Sequence, residues 1–178
     1  MSVKTEKKQR SSNLYLNMIL KNDEPIEMVR RSISSVIEYV DGAYITITFP
    51  DDNFKKNTPL EKILKKEFNA NVSYFKWVDD FSVARNFALT QVPRGKNNFI
   101  YWQDADDILQ GAEHLHDISD IAATYSHAAV FFHYWYMVDF DENGEIRNVV
   151  VDQVRERIVR NDGTFKWVGM LHETLIEQ

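Results

Sequence analysis

The stretch Asn98-Phe99-Ile100-Tyr101-Trp102-Gln103-Asp104-Ala105-Asp106-Asp107 sets the reading of the whole chain. Four apolar or aromatic residues behind an amide read as a short buried strand. The strand ends abruptly in acids. In extended backbone, residues two apart share a side, so Asp104 and Asp106 can present oxygens to one cation. Carboxylates suit a hard ion such as Mg²⁺ or Mn²⁺. The competing reading is an acidic loop capping the next helix, where aspartates are also favourable.

Upstream of this strand, strands and helices alternate. Asn13 to Leu20 reads as a buried first strand, broken by Lys21-Asn22-Asp23-Glu24. Pro25 opens a helix whose apolar face is Ile26, Val29, Ile33, Val36, Ile37 and Val40. Ala43 to Phe49 is β-branched and aromatic, a second strand. Thr58-Pro59-Leu60-Glu61 is a capping box that opens a short helix. Val72 to Trp77 alternates as a third strand. Asp79-Asp80-Phe81-Ser82 then leads into a helix through Leu89, with Phe81, Ala84 and Ala88 inward. Such alternation implies a parallel sheet covered by helices, with ligands outside the carboxyl ends of the strands. The polar clusters at 21–24, 51–53, 79–82 and 104–107 should therefore converge on one cleft.

Downstream the texture changes. A helix is predicted around Leu115 to Tyr125, then a long aromatic strand from Ala128 to Phe140. Asp141-Glu142-Asn143-Gly144 is a turn. Ile146 to Val151 and Arg155 to Arg160 read as two further strands, Asn161-Asp162-Gly163 as a hairpin turn, and Phe165 to Val168 as a last strand. This half reads as antiparallel. In Phe131-Phe132-His133-Tyr134-Trp135-Tyr136, alternate positions are expected in the core, with the others lining a groove or a dimer contact.

Composition narrows the function classes. The 178 residues carry a net charge of -6, are 44% hydrophobic and contain no cysteine. A packed core is expected, and a disulfide scaffold, a thiolate zinc site and a thiol nucleophile are excluded. Residues 1–12 hold Lys4, Lys7, Lys8 and Arg10 against Glu6, a local +3 that leaves -9 elsewhere. We expect these residues to form a disordered basic tail and residues 13–178 one domain. The acidic remainder argues against a nucleic-acid partner. No stretch approaches a transmembrane span.

Two further segments hold candidate chemistry. Arg85 and Asn86 open the third helix, where an arginine binds a phosphate or base, or pairs with Asp80 or Asp106. His172 and Glu173 follow Trp167-Val168-Gly169-Met170-Leu171 at the end of an element. A neutral imidazole there can supply a metal ligand and the glutamate a base. The alternative is a chance pair.

Taken in order, Met18 to Glu24, Trp77 to Asn86, Trp102 to Leu109 and Trp167 to Leu175 resemble family 2 glycosyltransferases of the GT-A fold, from about Leu14 to Leu175. The resemblance implies an α/β, Rossmann-like mixed sheet flanked by helices, parallel in its N-terminal half and antiparallel in its C-terminal half. It implies a nucleotide-binding half at 13–109 and an acceptor-side half at 110–178. In the D-x-D motif, Asp106 would bind Mn²⁺ or Mg²⁺ directly, Asp104 would bind metal or the donor ribose, and His172 would complete the metal's ligands. Asn22 and Glu24 would line the nucleotide pocket, with Asp80, Arg85 and Asn86 beneath it. Glu173 would be the general base, with Asp107 as second candidate. The implied activity is metal-dependent, inverting transfer of a hexose from a nucleotide-sugar, usually a UDP-sugar, to a hydroxyl on a glycan, a lipid-linked or another acceptor. The expected location is cytoplasmic, peripheral at most to the inner face of the membrane.

Departures from the family pattern define the alternatives. By alignment, Thr48 and Asn53 stand where two acids read the base. Asp51 or Asp52 from a shifted loop, a different base specificity, or an impaired site accounts for this. The end soon after Glu173 fits the catalytic part of a longer enzyme or a minimal member needing an oligomeric partner. A degenerate domain that binds nucleotide-sugar or glycan is the non-catalytic alternative. A sugar nucleotidyltransferase is the other, disfavoured because no glycine-rich loop follows the first strand.

Overall fold

A computed structural model describes residues 10–178. The strands are β1 (Asn13–Lys21), β2 (Gly42–Phe49), β3 (Asn71–Lys76), β4 (Asn98–Trp102), β5 (Ala129–Phe140), β6 (Ile146–Arg160), β7 (Phe165–Val168) and β8 (Thr174–Glu177). The helices are α1 (Ile26–Ser34), α2 (Pro59–Lys66), α3 (Phe81–Thr90) and α4 (Leu115–Thr124).

Six strands form one sheet in the order β3-β2-β1-β4-β6-β5. The first four are parallel; β6 runs antiparallel to β4, and β5 antiparallel to β6. This is the expected mixed α/β architecture. The side-chain period of two decides what covers each face. On β1, Leu14, Leu16, Met18 and Leu20 join the core shared with Val29 and Ile33 of α1, Leu60 and Leu64 of α2, and Leu115 and Ala122 of α4. On the opposite face, Tyr15 packs into a second cluster with Trp102, Val159 and Trp167, while the Asn17 amide donates to Ala88 O of α3 at 3.3 Å. So α3 and the β7–β8 hairpin cover one face, and the other helices cover the other.

Local chemistry sets the element ends. Thr58 caps α2 by accepting from Glu61 N at 3.2 Å, and Asp80 caps α3 by accepting from Val83 N at 3.1 Å. Helix α1 stops at Ser34, short of the predicted face. Val36 stays buried after the break, and Ile37–Tyr39 form a single 3-10 turn.

Several expectations change. The predicted tail falls, over residues 1–9, outside the described residues. Ser11 and Ser12 are anchored, because the Asp120 carboxylate accepts from both backbone amides, at 3.0 and 2.9 Å, and from both hydroxyls. Burial pushes the Asp120 carboxyl up, but these bonds, led by the Ser12 hydroxyl, leave it below the usual carboxylate range. The two strands predicted over 146–160 are one, β6. Asn161-Asp162-Gly163 does not join paired strands; β7 pairs instead with β8, a strand absent from the sequence reading. Among the described residues, no helix is long and apolar enough to cross a membrane.

Candidate functional site

The chain adds β2 and β3 to one side of β1, then returns to place β4 on the other, so the carboxyl ends of four parallel strands open at one edge. A cleft of about 520 Å³ lies there. Every one of those strand ends contributes to it: Lys21 to Glu24 after β1, Thr48 to Pro50 at β2, Trp77 after β3, and Asp104 to Asp106 after β4. Asn22 and Glu24 are both among its lining residues. Phe81 completes an apolar wall, its ring 4.8 Å from that of Trp77 and nearly perpendicular to it.

The four polar clusters do not all arrive. Asp51, Asp52 and Asn53 are absent from the cleft lining. Asp51 accepts from Asn53 N at 2.9 Å and Asp52 pairs with Lys76 at 2.9 Å. Thr48 does line the cleft, with its hydroxyl donating to Leu20 O at 3.2 Å. Asp80 faces its own helix: the Ser82 hydroxyl and the Val83 amide donate to it and hold its carboxyl below the usual range. Asn86 is spent on β7, donating to Trp167 O and accepting from Trp167 N, each at 2.8 Å.

The acidic motif is a turn rather than an extended segment. Asp107 N donates to Asp104 O at 3.2 Å, and the Asp107 carboxylate accepts from Asp104 N at 3.0 Å. Alternation therefore does not explain its geometry; the turn brings both Asp104 and Asp106 to the first cleft.

Asp104 also belongs to a second cleft, of about 370 Å³, lined by Arg85, Trp102, Tyr134, Tyr136, Gln153, Arg155, Arg157, His172 and Glu173. Its centre is Arg85, buried on α3. Instead of pairing with Asp80 or Asp106, this guanidinium donates through Nη2 to Asp104 Oδ1 at 2.6 Å and through Nε to Glu173 Oε1 at 2.5 Å. It also stands 4.5 Å from the Trp102 ring and 5.0 Å from that of Trp167. Burial disfavours its charge, but Asp104 and Glu173 outweigh that and raise its pKa. A buried cation with two carboxylates is satisfied as a set. Removing Arg85 would leave the buried Glu173 carboxylate without this cation, at a cost of about 3–5 kcal/mol.

Glu173 reaches Arg85 because the chain folds back after β7. Gly169 has φ +105°, and a Cβ there would come within 3.3 Å of the Glu173 Cα. The Met170 carbonyl accepts from the Phe81 amide at 3.2 Å, docking the loop on the start of α3. His172 itself adopts φ 55°, an uncommon conformation for a side chain with a Cβ.

Asp107, the second candidate base, lines neither cleft. Its carboxylate pairs with Arg157 Nη2 at 2.9 Å, both side chains being largely buried. Burial pushes its carboxyl up despite Arg157. Beside it, burial and the Asp107 charge push the Tyr134 hydroxyl up to about 12.

The expected metal set is only partly assembled. Asp104 and Asp106 share the first cleft, whereas His172 lines the second alone of the three with Asp104. Among the described residues, no group of three histidine, aspartate or glutamate side chains is arranged to hold a metal ion. Two carboxylates at one rim fit a hard cation that completes its shell with phosphate oxygens and water. They do not make a closed site with His172.

No protein-family model matches the chain, and no curated protein matches it. Among solved structures it is similar to S. aureus TarS 1–349, with 19% identity over 64% of this chain and 33% of that one, at a TM-score of 0.45. For TarS 1–349 in complex with UDP-GlcNAc, the identity is 18% over 64% of this chain and 32% of that one, TM-score 0.46. For the complex with UDP it is 17% over 67% and 34%, TM-score 0.40. The chain thus spans about a third of the length of these structures.

Proposed function

We propose that this chain is the catalytic core of a metal-dependent, inverting glycosyltransferase of the family 2 type, which moves a sugar from a nucleotide-diphospho-sugar, a UDP-sugar first among them, to an acceptor hydroxyl. The observation that carries this reading is the meeting of two clefts at Asp104, one at the carboxyl ends of all four parallel strands and one against the antiparallel strands. The first takes the donor. Asn22 and Glu24 supply its polar contacts, and Trp77 and Phe81 an apolar wall for the base. The second takes the acceptor.

Asp104 and Asp106 are the residues that would hold a divalent ion, which supplies countercharge to the diphosphate as it leaves. The reaction needs no covalent nucleophile. The bond from the anomeric carbon to the diphosphate oxygen breaks, its electron pair leaving with the diphosphate. The acceptor oxygen bonds to the opposite face of that carbon, and its proton passes to the Glu173 carboxylate. Arg85 acts as a positioning residue, holding Asp104 and Glu173 at fixed separation across the junction. Asp107 fixes the acidic turn. Asp80 and Asn86 shape α3 and its contact with β7.

Thermal unfolding with UDP, GDP, CDP and dTDP, each with and without Mn²⁺, tests the donor site. One nucleotide with metal should raise stability by about 2.7 kcal/mol at a hundred times its Kd. For a chain of this size that is on the order of 5–10 °C in Tm. Asp106→Ala should remove the metal-dependent part and leave the protein folded. No shift with any nucleotide in the native protein would overturn the donor reading.

A further inference from the structure

The second cleft is lined by three guanidiniums, Arg85, Arg155 and Arg157, and one of them has no carboxylate of its own. Arg85 answers Asp104 and Glu173, and Arg157 answers Asp107. Arg155, two residues earlier on β6, lines the same cleft and is half-buried. Among the described residues, no carboxylate lies within ion-pair distance of it. Its guanidinium stands 5.7 Å from the centroid of the Trp102 ring, which Arg157 also approaches, at 4.1 Å.

The strands present this charge through a local irregularity. Pairing passes from Phe131–Glu156 to Val130–Ile158, so Arg157 is an extra residue on β6. A second irregularity, from Trp135–Asp152 to Met137–Val151, makes Tyr136 extra on β5. Bulges re-aim side chains and sharpen strand twist. Here Tyr134, Tyr136, Gln153, Arg155 and Arg157 all line one cleft.

We propose that Arg155 reads an oxyanion on the acceptor, a carboxylate or phosphate carried by the glycan that receives the sugar. This rests on the reading of the first cleft as the donor site. The planar fork of a guanidinium matches either oxyanion in a bidentate fashion. The Trp102 ring, 5.7 Å away, lies within cation–π distance of it. The two tyrosines give an amphipathic platform for a sugar ring, and Gln153 adds a neutral hydrogen-bonding group. Arg85 already pins Asp104 and Glu173, so their charges do not repel an incoming anion unopposed. A neutral acceptor would leave a partly desolvated cation without a partner.

Binding measured by NMR titration on the full chain tests this. The probes are maltotriose, maltotriose oxidised to the uronate at C6, and maltotriose phosphorylated at C6. At least one charged trisaccharide should bind about tenfold or more tighter than the neutral one, and the better of the two identifies the oxyanion. Added salt should narrow the gap. Arg155→Gln should reduce the charged probes to the neutral level, and Arg155→Lys should retain part of the preference. Equal affinity for all three probes, no binding of the charged ones, or a preference that survives Arg155→Gln overturns the proposal. Nucleotide-dependent stabilisation, read on the same samples, should persist in Arg155→Gln. If the native protein prefers a charged trisaccharide but gains no stability from any nucleotide, the donor reading fails and the oxyanion site stands.

Discussion

The four parallel strands and the β5–β6 ribbon are both rich in apolar residues, yet they meet opposite environments. Strands β1, β2 and β4 are covered on both faces, by helices and by the β7–β8 hairpin, with Leu16, Ile45 and Phe99 fully buried. That is the usual condition of parallel strands. In the ribbon, β6 forms ladder pairs with β4 through Ile158, Val159 and Arg160. The remainder of β6 has β5 alone beside it, and Phe131, Tyr136, Met137 and Phe140 are exposed. A two-stranded ribbon is marginally stable by itself, so this one depends on its root at β4. The difference divides labour: the first cleft is cut into the most buried part of the molecule, while one wall of the second cleft is carried on the least buried part.

The largest expected effect lies in the parallel half. Phe99→Ala removes a fully buried ring from β4, beside the root of the ribbon. It should cost about 3–5 kcal/mol in urea denaturation, with loss of the whole fold in one transition. A loss below about 1 kcal/mol would show that this half does not hold the stability assigned to it.

The same contrast explains how much was legible. Strands β1 to β4 and their helices stand out because Leu14 to Leu20 is a continuous strand-forming run and Thr58 and Asp80 cap α2 and α3. Their alternation also fixes where a cleft must open, which places Asn22, Glu24, Asp104 and Asp106 together. The second half obeys no single period. Polar Asp152 and Gln153 split β6 in the sequence because they sit in the exposed ribbon, where polarity says nothing about strand ends. Strand β8 has only half-buried Leu175 to mark it. The partners of Arg85 lie 19 and 88 residues away, so no local signal could name them. Arg155, missed altogether, had one available sign: with Arg157 it places two cations on alternate positions of a predicted strand.

A smaller effect should mark the join between the regions. Asn86 holds β7 by two bonds to Trp167, and β7 is what α3 carries on that face. Asn86→Ala leaves the Trp167 amide and carbonyl without these partners, which should cost about 1–3 kcal/mol. Hydrogen exchange separates a local from a global consequence. The Trp167 amide should lose protection far more than amides of β1. Equal loss in both would mean that the β7–β8 hairpin and the main sheet unfold as one unit, and the division drawn above would fail at this boundary.

The smallest effect is the sharpest comparison, since it uses the same side chain in the other setting. Phe131 on β5 is 59% exposed, whereas Phe99 is at 0%. Its ring loses little contact with water on folding, so Phe131→Ala should change stability by no more than about 0.5 kcal/mol. It pairs across the ribbon with Glu156. Cross-strand pairs contribute about 0.2–1 kcal/mol, which sets the upper limit for this site. The measurement is the urea midpoint of Phe131→Ala against the native protein at two protein concentrations. A loss above about 1.5 kcal/mol, or a midpoint that moves with concentration only in the native protein, would mean that this face is covered in solution. The ribbon would then be as much a part of a core as β4, and the contrast between the two halves would belong to the isolated chain alone.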